Sequence, residues 1–77
     1  MKALVELVAR SLVDHPDDVA VEVVDGPQGA TIEVRVAADD VGKLIGRGGR
    51  IIKAIRTLAR AAATGSGKRV NVEVLRP

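Results

Sequence analysis

The 77-residue chain contains no cysteine and no phenylalanine, tyrosine or tryptophan, and it has one histidine and one methionine. Without cysteine, disulfides and thiolate metal sites are excluded. Without aromatic rings, the chain cannot stack nucleobases in the manner of RRM and OB modules. No apolar run approaches the roughly 20 residues of a membrane span. The opening MKALVELVARSLVDHP is amphipathic and lacks the continuous apolar core of a signal peptide. The expectation is a soluble cytoplasmic protein.

Catalytic chemistry is equally short of parts. His15 sits beside Pro16 with no nucleophile in its local pattern, and its expected role is structural. The adjacent acids Asp17 and Asp18, and Asp39 and Asp40, fall at helix boundaries, where capping accounts for them. No metal-ligand spacing or cofactor fingerprint is present, so the chain reads as a non-enzyme without cofactors.

What is present is aliphatic and charged. Apolar residues make up 47% of the chain, with valine abundant, which favours a single domain over residues 1–77 built as a sheet with helices packed on it. The net charge of +2 conceals a division. Residues 1–40 carry three basic and nine acidic side chains, whereas residues 41–77 carry nine basic and one acidic, Glu73. Such one-sidedness points toward a polyanionic partner.

Periodicity predicts a helix over 2–14, with Leu4, Leu7, Val8 and Leu12 on one face, ending at His15-Pro16. Val19, Val21 and Val23 alternate in a strand over 19–24, and DGPQG at 25–29 is a turn. A second strand over 30–36 places Ala30, Ile32, Val34 and Val36 on one face. Asp39 or Asp40 is expected to cap a short helix over 40–45. A longer helix over 49–63 gathers Ile51, Ile52, Ile55, Leu58, Ala59 and Ala62 in one arc, opposite Arg50, Lys53, Arg56 and Arg60. TGSGK at 64–68 stops it, and Val70, Val72 and Val74 form a third strand. The order is α-β-β-α-α-β, an α+β arrangement.

Between the last two helices, DDVGKLIGRGGRIIKAIR holds Gly42, Gly46, Gly48 and Gly49 within eight residues. Glycine costs roughly 1 kcal/mol in a helix interior relative to alanine, so the break asks for a purpose. A dinucleotide fingerprint starting at Gly46 fails at Ile51 and lacks a preceding strand. A Walker A motif over TGSGKR fails at Ala62 and Arg69. GRGGR is too short, and too closely flanked by periodic apolar segments, for a disordered Arg-Gly box.

LIGRGGRII, residues 44–52, matches the KH-domain signature position by position: Leu44 and Ile45, the loop Gly46-Arg47-Gly48-Gly49, then Ile52. The element order resembles the type II, prokaryotic KH fold, with three strands in one sheet and helices packed on one face. That resemblance covers essentially the whole chain. It implies a GxxG loop that joins two helices and clamps the backbone of about four single-stranded nucleotides. The implied RNA-binding residues are Lys43, Gly46, Arg47, Gly48, Gly49, Arg50 and Lys53, with Ile45 and Ile52 in the core. A KH groove holds bases on aliphatic side chains, so the lack of aromatics does not count against it. Size and the leading helix resemble the small single-KH proteins of bacteria. That likeness implies pairing with a second copy or with a larger KH-containing protein, and in some bacteria an influence on cell elongation and division.

An independent argument for pairing lies in the first helix. Leu4, Val5, Leu7, Val8, Ala9, Leu12 and Val13 spread over about 240° of its circumference, where one sheet face needs little over 100°. Ala54 and Ala61 add small residues where another helix could approach. For Arg56 and Arg60, a solvated helix back and an RNA contact remain equally open.

Overall fold

The computed structural model describes residues 2–27, 29–63, 67 and 69–77. Helix α1 (Lys2–Leu12) leads into strands β1 (Ala20–Gly26) and β2 (Gly29–Arg35). Helices α2 (Val41–Ile45) and α3 (Arg50–Ala62) follow, and β3 (Arg69–Leu75) closes the order. The expected α-β-β-α-α-β sequence is found. The three strands make one mixed sheet in the order β1-β2-β3, with β1 and β2 antiparallel and β2 and β3 parallel. Most of the 64–68 stop signal, and Gln28 of the turn, lie outside the described residues.

Alternation places Val21, Ile32, Val34, Val70 and Val72 on the inner face, in cross-strand register around Ile32. Val5 and Ala9 of α1, Leu44 of α2 and Ile52, Ile55 and Ala59 of α3 pack against them. Branched aliphatic chains fill this core without a ring because they interdigitate on the pleated surface. Ile32 and Leu44 are buried almost completely and anchor sheet and helices respectively.

Three expectations need correction. Helix α1 turns Val5 and Ala9 inward and leaves Leu4, Leu7 and Leu12 exposed, Leu7 to 65%. Its apolar residues reach so far round the helix that period alone allowed two faces; the one with the smaller side chains lies closest to the rest of the core. In α3, Leu58 (48% exposed) and Ala62 stand outside, because the sheet takes up only the narrower arc of Ile52, Ile55 and Ala59. In β1, Val23 is exposed although it lies on the inner-face period: within the strand only Val21 is buried, beside Val19 just before it.

Candidate nucleic-acid interface

Helix α2 is a turn and a half long and ends at Gly46, whose N–H closes on the carbonyl of Gly42 at 2.9 Å. Gly46 has φ of 75° and ψ of 170°, a conformation that L side chains rarely adopt. A Cβ there would also stand 2.7 Å from Cγ1 of Ile51, so both torsion and space require glycine. The chain then makes a single tight turn over Arg47–Gly49, with Gly48 and Gly49 at φ of 66° and 76°. Three left-handed residues in four thus redirect α2 into α3 with almost no connecting chain. Gly42 is different: it lies within α2, and a side chain there would meet open space.

The loop delivers chain directly into α3, whose first turn has no side-chain cap among the described residues. An uncapped helix start presents N–H donors and the positive end of the helix dipole. Arg47, Arg50 and Lys53 surround it. All three are exposed, and none takes part in an ion pair among the described residues. The arrangement is a compact donor surface for an oxyanion.

Lys43 is placed otherwise. Its ammonium pairs with the Asp14 carboxylate and lies 3.3 Å from Oδ1 of Asp40. The hydrogen bond to Asp14 is the main reason its titration lies above the ordinary lysine range.

Asp40 is the feature that sequence reasoning missed. It was expected, with Asp39, to cap α2, yet neither gives a side-chain cap. Instead Asp40 is fully buried, and its two oxygens accept the backbone N–H groups of Asp14 at 3.1 Å and His15 at 3.0 Å. Burial pushes its carboxyl up, but those two N–H donors and the Lys43 ammonium outweigh burial, and the group titrates below the ordinary carboxylate range. Asp40 therefore ties the segment just after α1 to the start of α2, six residues before Gly46. The one clue in the sequence was His15-Pro16, which stops α1 before these residues, so that the Asp14 and His15 N–H groups need an acceptor outside the helix. His15 itself lies 3.1 Å from Asp39 through Nε2, and that hydrogen bond raises its titration.

Beside the loop lies a shallow depression of about 260 Å³, bordered by Ile45, Ile52, Arg56, Glu73, Val74 and Leu75. Ile52 is buried as expected, but Ile45 is 38% exposed and belongs to this floor rather than to the core; its neighbour Leu44 takes the inward position. The depression offers aliphatic surface one residue from Gly46. Of the described residues, no helix is long and apolar enough to cross a membrane.

The KhpA/KhpB KH-domain family matches residues 2–74. The chain is 53% identical to the RNA-binding protein KhpA of Clostridium acetobutylicum over 75 residues, covering 97% of this chain and all of the relative. It is 51% identical to KhpA of Clostridium perfringens, with the same coverage. Against KhpA of Mycobacterium tuberculosis it is 52% identical over 68 residues, 88% of this chain and 84% of the relative. No solved structure matches the chain at a significant level.

Proposed function

The chain belongs to the KhpA/KhpB family of KH domains, and on that premise we propose that it binds single-stranded RNA in the cytoplasm through the loop between α2 and α3. The observation that carries this reading is the three-glycine turn opening an uncapped helix among three cations that have no ion pair among the described residues. Glycines 46, 48 and 49 let a phosphodiester approach the main chain. Arg47, Arg50 and Lys53 neutralise it, and the α3 dipole adds to their field. Lys43 flanks the site and joins the contact only by leaving Asp14. The base next to the held phosphate rests on Ile45, Ile52, Val74 and Leu75, where it gains burial without stacking on a ring. It is a binding protein, not an enzyme, and its role is post-transcriptional: a regulator or an RNA chaperone.

Replacing Arg47 and Gly48 together with Asp tests this. Two charges of the wrong sign at the phosphate position should lower affinity for a single-stranded octamer by about 100-fold or more, since charge-assisted hydrogen bonds contribute roughly 1.5–3 kcal/mol each. Circular dichroism should be unchanged, because the loop side chains are outside the core. Unchanged affinity with an intact fold would remove the loop from the site, and equal binding of duplex would remove the preference for single strands.

A second reading, that the fold also serves pairing, is favoured by the exposed Leu4, Leu7 and Leu12 of α1 and Leu58 of α3. The working unit is then a dimer, of two copies or with a larger KhpB-like KH protein, and two loops on one RNA raise apparent affinity without new contacts. Sedimentation equilibrium at micromolar concentration should show dimer mass. A single species of monomer mass would remove the homodimer and leave pairing with the second protein, testable by pull-down.

A further inference from the structure

An edge strand leaves half of its backbone groups without a ladder partner. β3 has β2 on one side and no strand on the other among the described residues. A free edge of this kind offers an approaching base an N–H beside a C=O, which suits a base edge carrying one acceptor and one donor. The Val72 carbonyl accepts a hydrogen bond from Nε of Arg56 at 3.2 Å. Arg56 reaches it from α3, is half-buried, and borders the depression beside the loop. A guanidinium has five N–H donors in a planar fork and no acceptor. One donor is spent on Val72, which fixes the plane of the group. Among the described residues, the four N–H groups on its two terminal nitrogens have no partner.

Resting on the RNA-binding reading above, we infer that Arg56 sets the base preference of this depression and that the preferred base is guanine. Held through Nε by the Val72 carbonyl, Arg56 presents a donor fork at the border of the depression, which the Glu73 carboxylate also borders. Guanine carries two adjacent acceptors, O6 and N7, on its Hoogsteen edge, and they match an arginine fork in bidentate fashion. Adenine sets an amino donor beside N7, so one arm of the fork faces another donor. Uracil offers isolated carbonyls. Cytosine has the acceptor pair O2 and N3, but O2 adjoins the glycosidic bond, where the sugar crowds the fork. The larger purine face also covers more of the floor formed by Ile45, Ile52, Val74 and Leu75. In a single strand the Hoogsteen edge is free to be read. Arg56 thus leaves the solvated back of α3 and becomes a specificity-determining residue, while the phosphate contacts stay with the loop.

The test is fluorescence anisotropy with oligouridylate octamers carrying one central guanosine, adenosine, cytidine, inosine or 7-deazaguanosine. The guanosine octamer should bind about tenfold more tightly than the adenosine one. Inosine, which keeps O6 and N7, should match guanosine, and 7-deazaguanosine, which lacks N7, should fall toward adenosine. In Arg56→Met the difference between guanosine and adenosine should vanish, with the loss falling on guanosine. Equal binding of all five octamers by the unaltered protein overturns the inference, and so does a uniform loss for every octamer in a folded Arg56→Met. The base analogues need no mutation, so a variant that fails to fold leaves the test intact. Failure of the underlying reading looks different: no octamer binds, or binding survives the loop double substitution.

Discussion

The loop side and the open face of the sheet carry opposite charge on opposite kinds of backbone. At the loop, three left-handed glycines break regular structure, and among the described residues the cations Arg47, Arg50 and Lys53 have no ion-pair partner. On the sheet, the ladder is regular, and its register sets Glu22 opposite Glu33 and Glu33 opposite Glu73, so three carboxylates line up across three strands. None of the three takes part in an ion pair among the described residues. Like charges directly opposite one another destabilise a sheet. Glu73 is the one acidic residue of the basic half of the chain, and it completes this row. The row is bounded by Arg35 and Arg69 toward the two ends of the strands, so the acidity is a band rather than a whole face. A polyanion meets donors at the loop and a carboxylate band across the sheet, whose Glu73 end borders the depression beside the loop. The field alone then gives it a preferred side of approach.

The largest effect that would break this contrast comes from Gly46→Ala. The left-handed torsion and the contact with Ile51 together should cost on the order of 2 kcal/mol of stability. RNA affinity should fall with it, because the α2–α3 junction must open to make room. Urea denaturation and anisotropy on the same preparation check both. A variant as stable as the parent would show that the loop geometry is not required.

Asp40→Asn comes next. Asparagine keeps an acceptor for one backbone N–H but loses the charge that both N–H groups and Lys43 address, so the melting temperature should drop. The pH dependence has a definite sign. The folded carboxyl titrates below its unfolded range, so its contribution is fully present above that range and is lost as pH falls through the folded value. In the variant this acid-side loss should be reduced. His15 works in the other direction: its raised titration contributes below the ordinary histidine range and fades as pH rises through the folded value. An Asp40→Asn protein whose stability falls on acidification as steeply as the parent's would contradict the first assignment.

How much of this was legible in the sequence depended on the range of the interaction. Order, strand alternation and the glycine turn are encoded within a few residues, and all were readable. The inward face of α1 was not, because a helix apolar around most of its circumference leaves the choice to its neighbours. Asp40 could not be placed either. Its partners lie 25 and 26 residues earlier, and an Asp at a helix start looks the same whether it caps that helix or another segment. Ile45 and Leu44 are adjacent, and which of them faces inward was settled by where α2 lands against β3 and α3. Arg56 was undecided because its Val72 contact exists only once α3 lies over β3.

A smaller effect should come from Glu33→Gln at the centre of the carboxylate row. Relief of two repulsions should stabilise the fold by about 0.5 kcal/mol, and RNA affinity should change little beyond the small gain from a more positive net charge. A large rise in affinity would mean that RNA lies on the sheet.

Smaller still is the ionic-strength signature. With three exposed cations at the loop, log K against log salt should fall with a slope of about −2 for a single strand. A slope near zero would deny phosphate contact, and a much steeper one would require basic residues beyond the loop.

The most direct measurement is an amide NMR titration of the full chain with a short single-stranded RNA. The backbone amides from Gly46 to Lys53 should shift with added RNA, while those of Glu22 and Glu33, away from the loop and its depression, stay in place. Shifts concentrated on Glu22 and Glu33, or a loop that does not respond while RNA binds elsewhere, would contradict the account.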